Sequence, residues 1–248
     1  MRMTLTVLAA LLTLPACGDR NAEAPPDPFG RQPGQPPGAV AGEEAPDGFG
    51  VVVANSQGAG ELRNKTWVEG SHGTPLIAGQ NVPADIVVRT LDDEPYDLNA
   101  AIASQPTILM FYRGGWCPYC NVYLKDLQTV VPELRDMGYQ VLAVSSDPPG
   151  EILTELADAA IDYTLLSDQS LDVAARFGLR YKVNQQYIEH VLAGRNIDLV
   201  AQNGGYLLTP AAFVINTDGE IVFAYANRNY SVRLKNDVLL DKARAALD

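Results

Sequence analysis

Residues 107–122 read TILMFYRGGWCPYCNV. The run TILMFY (107–112) is continuously apolar and stops at two glycines, as a buried parallel strand does. Cys117 and Cys120 follow, and a helical period starts there through Leu124, Leu127, Val130 or Val131, and Leu134. A strand, a tight turn and a helix with both thiols on its first turn set the fold class. Free backbone N–H groups and the positive end of the helix dipole favour a thiolate at that place. Pro118 suits a first turn, where its missing N–H costs no bond. Trp116 and Tyr119 are expected to shield the pair from water. Pro132 is expected to kink the helix and Gly138 to end it.

Outward from this unit the pattern repeats. ADIVVRTLDDEPYDL (84–98) reads as two short strands around an acidic turn. QVLAVSSD (140–147) and YTLLSD (163–168) read as further buried strands. Asp147 is placed to cap a helix starting at Pro148 or Pro149 and running GEILTELADAA. SLDVAARFG (170–178) reads as a short helix closed by Gly178. Residues 179–208 hold another helical stretch, QYIEHVLAG, and a Gly-rich loop. AAFVI (211–215) and IVFAYA (221–226) flank the hairpin signal NTDGE, and a helix over 235–247 ends the chain. The expected class is α/β: a mixed central sheet with helices on both faces.

The N-terminal part has a different composition. Residues 1–16, MRMTLTVLAALLTLPA, hold one arginine and then an apolar run too short to span a bilayer, the form of a signal peptide. Seven of the chain's 17 prolines fall within residues 18–47, and no apolar period occurs there. Residues 17–47 are therefore expected to be a disordered Pro/Gly-rich linker. Residues 48–74 form an ambiguous extension in which FGVVVA suits a short strand. Residues 75–248 carry the expected folded domain.

The 248 residues carry a net charge of −12, which argues against nucleic acid as a partner. Three cysteines and two histidines restrict the chemistry further. A zinc site on Cys117 and Cys120 would need two more ligands, and no second CxxC or histidine pair supplies them. A purely structural disulfide over a two-residue spacer would close a small, easily reduced ring. The dithiol is the candidate chemistry, and inert core thiols are the alternative. No nucleotide, metal or haem motif is present, so no cofactor is expected.

Leu14, Pro15, Ala16 and Cys17 resemble the lipobox of bacterial lipoproteins, which implies lipidation at Cys17. The stretch from Pro75 to Asp248 resembles the peroxiredoxin-like (AhpC/TSA, redoxin) branch of the thioredoxin-fold superfamily. FYRGGWCPYC, VLAVSSD, LLSDQSLDVAARFGL and PAAFVINTDGEIVFAY carry that resemblance in order. It implies a thioredoxin-like fold and an antioxidant thiol oxidoreductase. It also implies a cis-proline opposite the thiols, matched by Thr209-Pro210. Two positions depart from the family pattern. Cys117 stands where a Thr or Ser precedes the peroxidatic cysteine, and Pro210 stands near the place of the family's arginine. Arg113, Arg228 and Arg233 are the candidate replacements for that cation.

Two enzymatic readings follow from the resemblance. In the first, hydroperoxides are reduced, with Cys120 at the peroxidatic position and Cys117 resolving the sulfenic acid. In the second, the chain is a protein disulfide reductase in which an exposed Cys117 attacks and Cys120 resolves. A third reading is a tethered, redox-inactive binding module using the 179–208 insertion. The address implies an exported, periplasmic protein, held to a membrane by a lipid anchor. Its electrons would then come from a periplasmic or membrane thiol reductant.

Overall fold

A computed structural model describes residues 73–152, 161–192 and 198–247, together with the short strands Val52–Val53 and Val68–Glu69. The expected signal peptide, Cys17 and the linker lie outside the described residues. In chain order the elements begin with β1 (Val52–Val53), β2 (Val68–Glu69), β3 (Val87–Arg89), β4 (Pro95–Asp97) and α1 (Leu98–Ser104). β5 (Thr107–Phe111), α2 (Pro118–Gln128), α3 (Val131–Asp136), β6 (Gln140–Ser145) and β7 (Thr164–Ser167) build the centre. α4 (Asp172–Arg176), β8 (Arg180–Val183), α5 (Gln185–Tyr187), α6 (Leu199–Asn203) and β9 (Tyr206–Leu208) follow. β10 (Ala211–Ile215), β11 (Ile221–Ala226) and α7 (Asn236–Ala245) close the chain.

The main sheet has the order β1-β11-β10-β5-β6-β7-β3-β4. β5, β6 and β7 run parallel, while β10 is antiparallel to β5 and to β11. Strand periodicity sorts the side chains into two cores. Ile108, Met110, Val141, Ala143, Ala212 and Val214 point to one face, with Leu124 and Leu127 of α2, Leu134 of α3 and Leu239 of α7. Leu109, Phe111, Leu142, Val144, Phe213 and Ile215 point to the other, with Ile102 of α1 and Val173 of α4. Helices therefore cover both faces, as the sequence implies. Phe111, Phe177 and Phe213 pack as a triangle with ring centroids 5.0, 5.3 and 6.1 Å apart.

Three local expectations are corrected. Pro132 does not kink one helix; α2 stops at Gln128 and α3 starts afresh at Val131, with Pro132 in its first turn. Pro132 lacks the N–H that a continuous ladder needs there. Among the described residues no α-helix directly follows Asp147 for it to cap. Its carboxylate accepts from Gly115 N–H at 2.8 Å and from Ser145 Oγ at 3.1 Å, and a 3₁₀ turn over Pro149–Glu151 follows instead. Residues 153–160 of the expected helix lie outside the described residues. In the 179–208 region, Gln185–Tyr187 and Ile188–Leu192 are helical as expected, but the strands β8 and β9 on either side, which the sequence reading missed, form a second, three-stranded sheet ordered β2-β8-β9.

Gly178 shows how tightly α4 meets the segment before β3. Its φ is +71°, and a Cβ there would lie 1.8 Å from the Thr74 carbonyl oxygen. Gly178→Ala is expected to lower the unfolding free energy by about 2 kcal/mol or more, read from urea melts.

Candidate active site

The site is built on the C-terminal ends of β5 and β6. Tyr112 N–H donates to the Val144 carbonyl at 3.0 Å, which carries the strand pairing one residue past β5. The chain then turns through Gly114, whose φ is +142°. A Cβ at that position would lie 2.2 Å from Trp116 Nε1 and 2.4 Å from Asp147 Oδ1, so only glycine fits. Asp147 holds Gly115, and Asn121 Nδ2 donates to the Gly115 carbonyl at 2.6 Å. Cys117 is the N-cap residue of α2, and its carbonyl accepts from the N–H groups of Cys120 and Asn121 at 2.9 and 3.1 Å. Pro118 follows at N1 and is exposed.

Both thiols are buried, Cys117 at 1% and Cys120 at 0% exposure. The expected difference in exposure is absent. What distinguishes them is charge. Arg113 Nη1 lies 4.0 Å from Cys117 Sγ, and Arg233 Nη2 lies 3.2 Å from Cys120 Sγ. Burial by itself pushes the Cys117 thiol up. A hydrogen bond from the Cys120 thiol, followed by the Arg113 and Arg233 charges, outweighs it and brings Cys117 down to about 5. Cys120 goes the other way, because it is buried and its thiol donates to Cys117. The surroundings of the pair thus favour the thiolate on Cys117 over Cys120.

Arg113 is 1% exposed and, among the described residues, has no carboxylate in ion-pair contact. Aromatic rings enclose it: its guanidinium carbon lies 4.2 Å from the Tyr230 ring centroid, 4.8 Å from Trp116 and 5.8 Å from Tyr187. Its Nη2 donates to the Tyr187 hydroxyl. Trp116 is half-buried and packs against both the main core and the small cluster of Tyr181, Tyr187 and Leu207.

Of the residues singled out from sequence, Cys117, Cys120, Arg113 and Trp116 come together here, and Arg233 joins them. Arg228 is exposed. Pro210 lines a cavity of about 10 Å³ with Tyr123 and Arg233, but no described peptide bond is cis, so the expected cis-proline is a trans one. The Thr209 N–H donates to the Leu179 carbonyl at 2.9 Å, so it is not open to pair with an extended substrate. Asp147, Tyr187 and Tyr230 are neighbours that the sequence reading did not place at the site.

A family model described as the AhpC/TSA family matches residues 78–224, more than half of the chain. The chain belongs to the AhpC/TSA family. It is 25% identical over 167 residues to Peroxiredoxin Bcp of Escherichia coli K12, covering 67% of this chain and 95% of that protein. It is 23% identical over 171 residues to a putative peroxiredoxin bcp of Haemophilus influenzae, covering 69% and 98%. Among solved structures, Xanthomonas campestris peroxiredoxin Q superposes with a TM-score of 0.54 at 19% identity, covering 69% of this chain and 99% of that one. Peroxidoxin BcpB of Mycobacterium tuberculosis gives 0.51 at 22%, covering 68% and 96%. These likenesses establish the thioredoxin-like, peroxiredoxin-type fold.

The depressed Cys117 value has a consequence for stability. A thiol whose folded pKa is lowered contributes stability that is complete above its unfolded value, 9.0, and is lost as the pH falls through about 5. Cys120, pushed upward, opposes this only above the same unfolded value. The unfolding free energy of the reduced protein, minus that of the disulfide form, is therefore expected to shrink between about pH 9 and pH 5. Parallel denaturation series of the two forms check it.

Proposed function

We propose that the chain is an exported, thiol-dependent hydroperoxide reductase whose redox pair is Cys117 and Cys120. The observation that carries this reading is the arrangement of two adjacent buried thiols, each against its own guanidinium. Family membership and the peroxiredoxin names of the relatives support it. The assignment of attack differs from the one implied by resemblance, because the surroundings favour the thiolate on Cys117.

In the proposed reaction the Cys117 thiolate attacks one oxygen of the hydroperoxide. An S–O bond forms, the O–O bond breaks, and the alkoxide or hydroxide leaves with the electron pair. The Cys120 thiol, already donating to Cys117, is the nearest proton source for that leaving oxygen. Cys120 is now a thiolate beside Arg233, and it attacks the Cys117 sulfenic sulfur. The disulfide forms and hydroxide departs, taking a solvent proton to become water. An external dithiol then returns the two electrons by thiol–disulfide exchange.

Burial favours this reading over protein disulfide reduction. A hydroperoxide is small enough for a site where Cys117 is 1% exposed, whereas a protein disulfide needs the sulfur at the surface. The bonded Thr209 N–H and the trans Pro210 also remove the strand-like docking edge implied by the disulfide-reductase reading.

The single-cysteine variants test the proposal. Reduced Cys120→Ser, which keeps Cys117, is expected to form sulfenic acid with hydrogen peroxide at least tenfold faster than reduced Cys117→Ser, as trapping and mass spectrometry would read. Both variants should lose turnover with a dithiol donor. Faster sulfenic acid formation in Cys117→Ser would return the attack to Cys120. Equal activity of the double variant would instead support a redox-inactive binding module.

Residues 1–47 supply the proposed address: a signal peptide, lipidation at Cys17 and a tether, with a periplasmic or membrane thiol relay as reductant. Radiolabelled palmitate is expected to enter the full chain expressed in a bacterium, and Cys17→Ser to abolish the label. Label retained in that variant would sink the lipid anchor.

A further inference from the structure

The 179–208 insertion has no part in the reaction as written, yet it places one residue against the charged centre. Asn184 caps α5 and its side chain accepts from the Tyr187 N–H at 3.0 Å, which fixes where Tyr187 leaves the backbone. Tyr187 is 3% exposed and packs in a cluster with Tyr181, Val183, Leu192, Leu199 and Leu207. From there its hydroxyl accepts from Arg113 Nη2, while Nη1 of the same guanidinium faces Cys117 Sγ at 4.0 Å. One planar fork spans the insertion and the sulfur.

The rings around Arg113 attract its charge but leave it free to turn in its own plane. Directional bonds at the two ends of the fork stop that turning. Nε has no partner among the described residues, so Tyr187 and Cys117 are the two polar groups that set the angle. We propose that Tyr187 is a positioning residue, which holds the Arg113 fork against Cys117 and so keeps that sulfur ready to attack. The inference rests on the reading of Cys117 as the attacking thiolate. Other titratable or charged groups facing this centre are Cys120 and Arg233 at the sulfurs, Tyr181 from β8 and Tyr230 from the segment after β11. Tyr181 and Tyr230 are themselves electrostatically linked to Tyr187, and taking the difference between reduced and disulfide protein removes their own titration from the readout.

Tyr187→Phe keeps the ring, its packing and its attraction for Arg113, and removes only the oxygen. Thiolate formation is read as the ultraviolet difference between the reduced and the disulfide protein across a pH series, which cancels tyrosines and Cys17. In Tyr187→Phe the midpoint is expected to rise by about one pH unit, and in Arg113→Met by more. Sulfenic acid formation with hydrogen peroxide at a pH well below both midpoints should slow about tenfold in Tyr187→Phe. A lower melting temperature with an unchanged midpoint would overturn the inference and leave Tyr187 as packing. A shift in Arg113→Met without one in Tyr187→Phe would overturn it while sparing the thiolate reading. If neither variant moves the midpoint, the thiolate reading falls and the inference with it.

Discussion

A guanidinium buried to 1% exposure, with no carboxylate in contact among the described residues, is the constraint around which this site is arranged. Removing such a charge from water costs several kcal/mol unless nearby groups compensate. Aromatic faces return part of that cost, and the Tyr187 hydroxyl returns more. A thiolate on Cys117, which these surroundings favour, would supply the remaining compensation. Arginine and sulfur depend on each other: the cation lowers the thiol pKa, and the thiolate makes the cation tolerable there. Oxidation to a disulfide would remove the anion and leave the cation. In the proposed cycle this stabilises the reduced form relative to the disulfide and makes the pair a readily reduced one.

The fold supplies this arrangement from distant parts of the chain. β5 and the two glycines deliver Arg113 and Cys117, and α2 delivers Cys120 one turn on. The segment after β11 delivers Tyr230 and Arg233, and the insertion delivers Tyr187. Asp147, at the end of β6, ties down the turn that joins Arg113 to Cys117. All of these lie at the C-terminal edge of the parallel strands, where an α/β sheet opens its crevice. The cation beside Cys120 is Arg233, which comes from after β11 and not from near Pro210.

The sheet, both helical layers and the placement of the thiols on a first helical turn were legible in the sequence, because each follows from local periodicity. The strand runs at 107–112, 140–147 and 211–215 are apolar enough to read as buried, and WCPYC follows the glycines directly. The surroundings of the thiols were not legible. Arg233 lies 113 residues from Cys120 and Tyr187 lies 74 from Arg113, and no local pattern marks either contact. The part of Asp147 at the site was not legible either: aspartate before proline suits an N-cap, and only the three-dimensional approach of Gly115 shows its carboxylate holding the turn before Cys117. The cis bond expected at Thr209-Pro210 came from resemblance, and here the Thr209 N–H is bonded to Leu179 in a trans chain.

Two needs of the proposed cycle conflict. The peroxide step gains from burial, because a dry site strengthens the hold of Arg113 on the thiolate. The recovery step needs the disulfide to meet the sulfur of a reductant, and burial at 1% and 0% prevents that. The fork through Arg113 offers a way to satisfy both. If the thiolate orients Arg113, and Arg113 binds Tyr187, the coupling is reciprocal: loss of the charge must weaken the hold on the insertion by the same free energy with which the hold favours the charge. In the proposed cycle the disulfide, which carries no such charge, would weaken that hold at the stage when the reductant has to react.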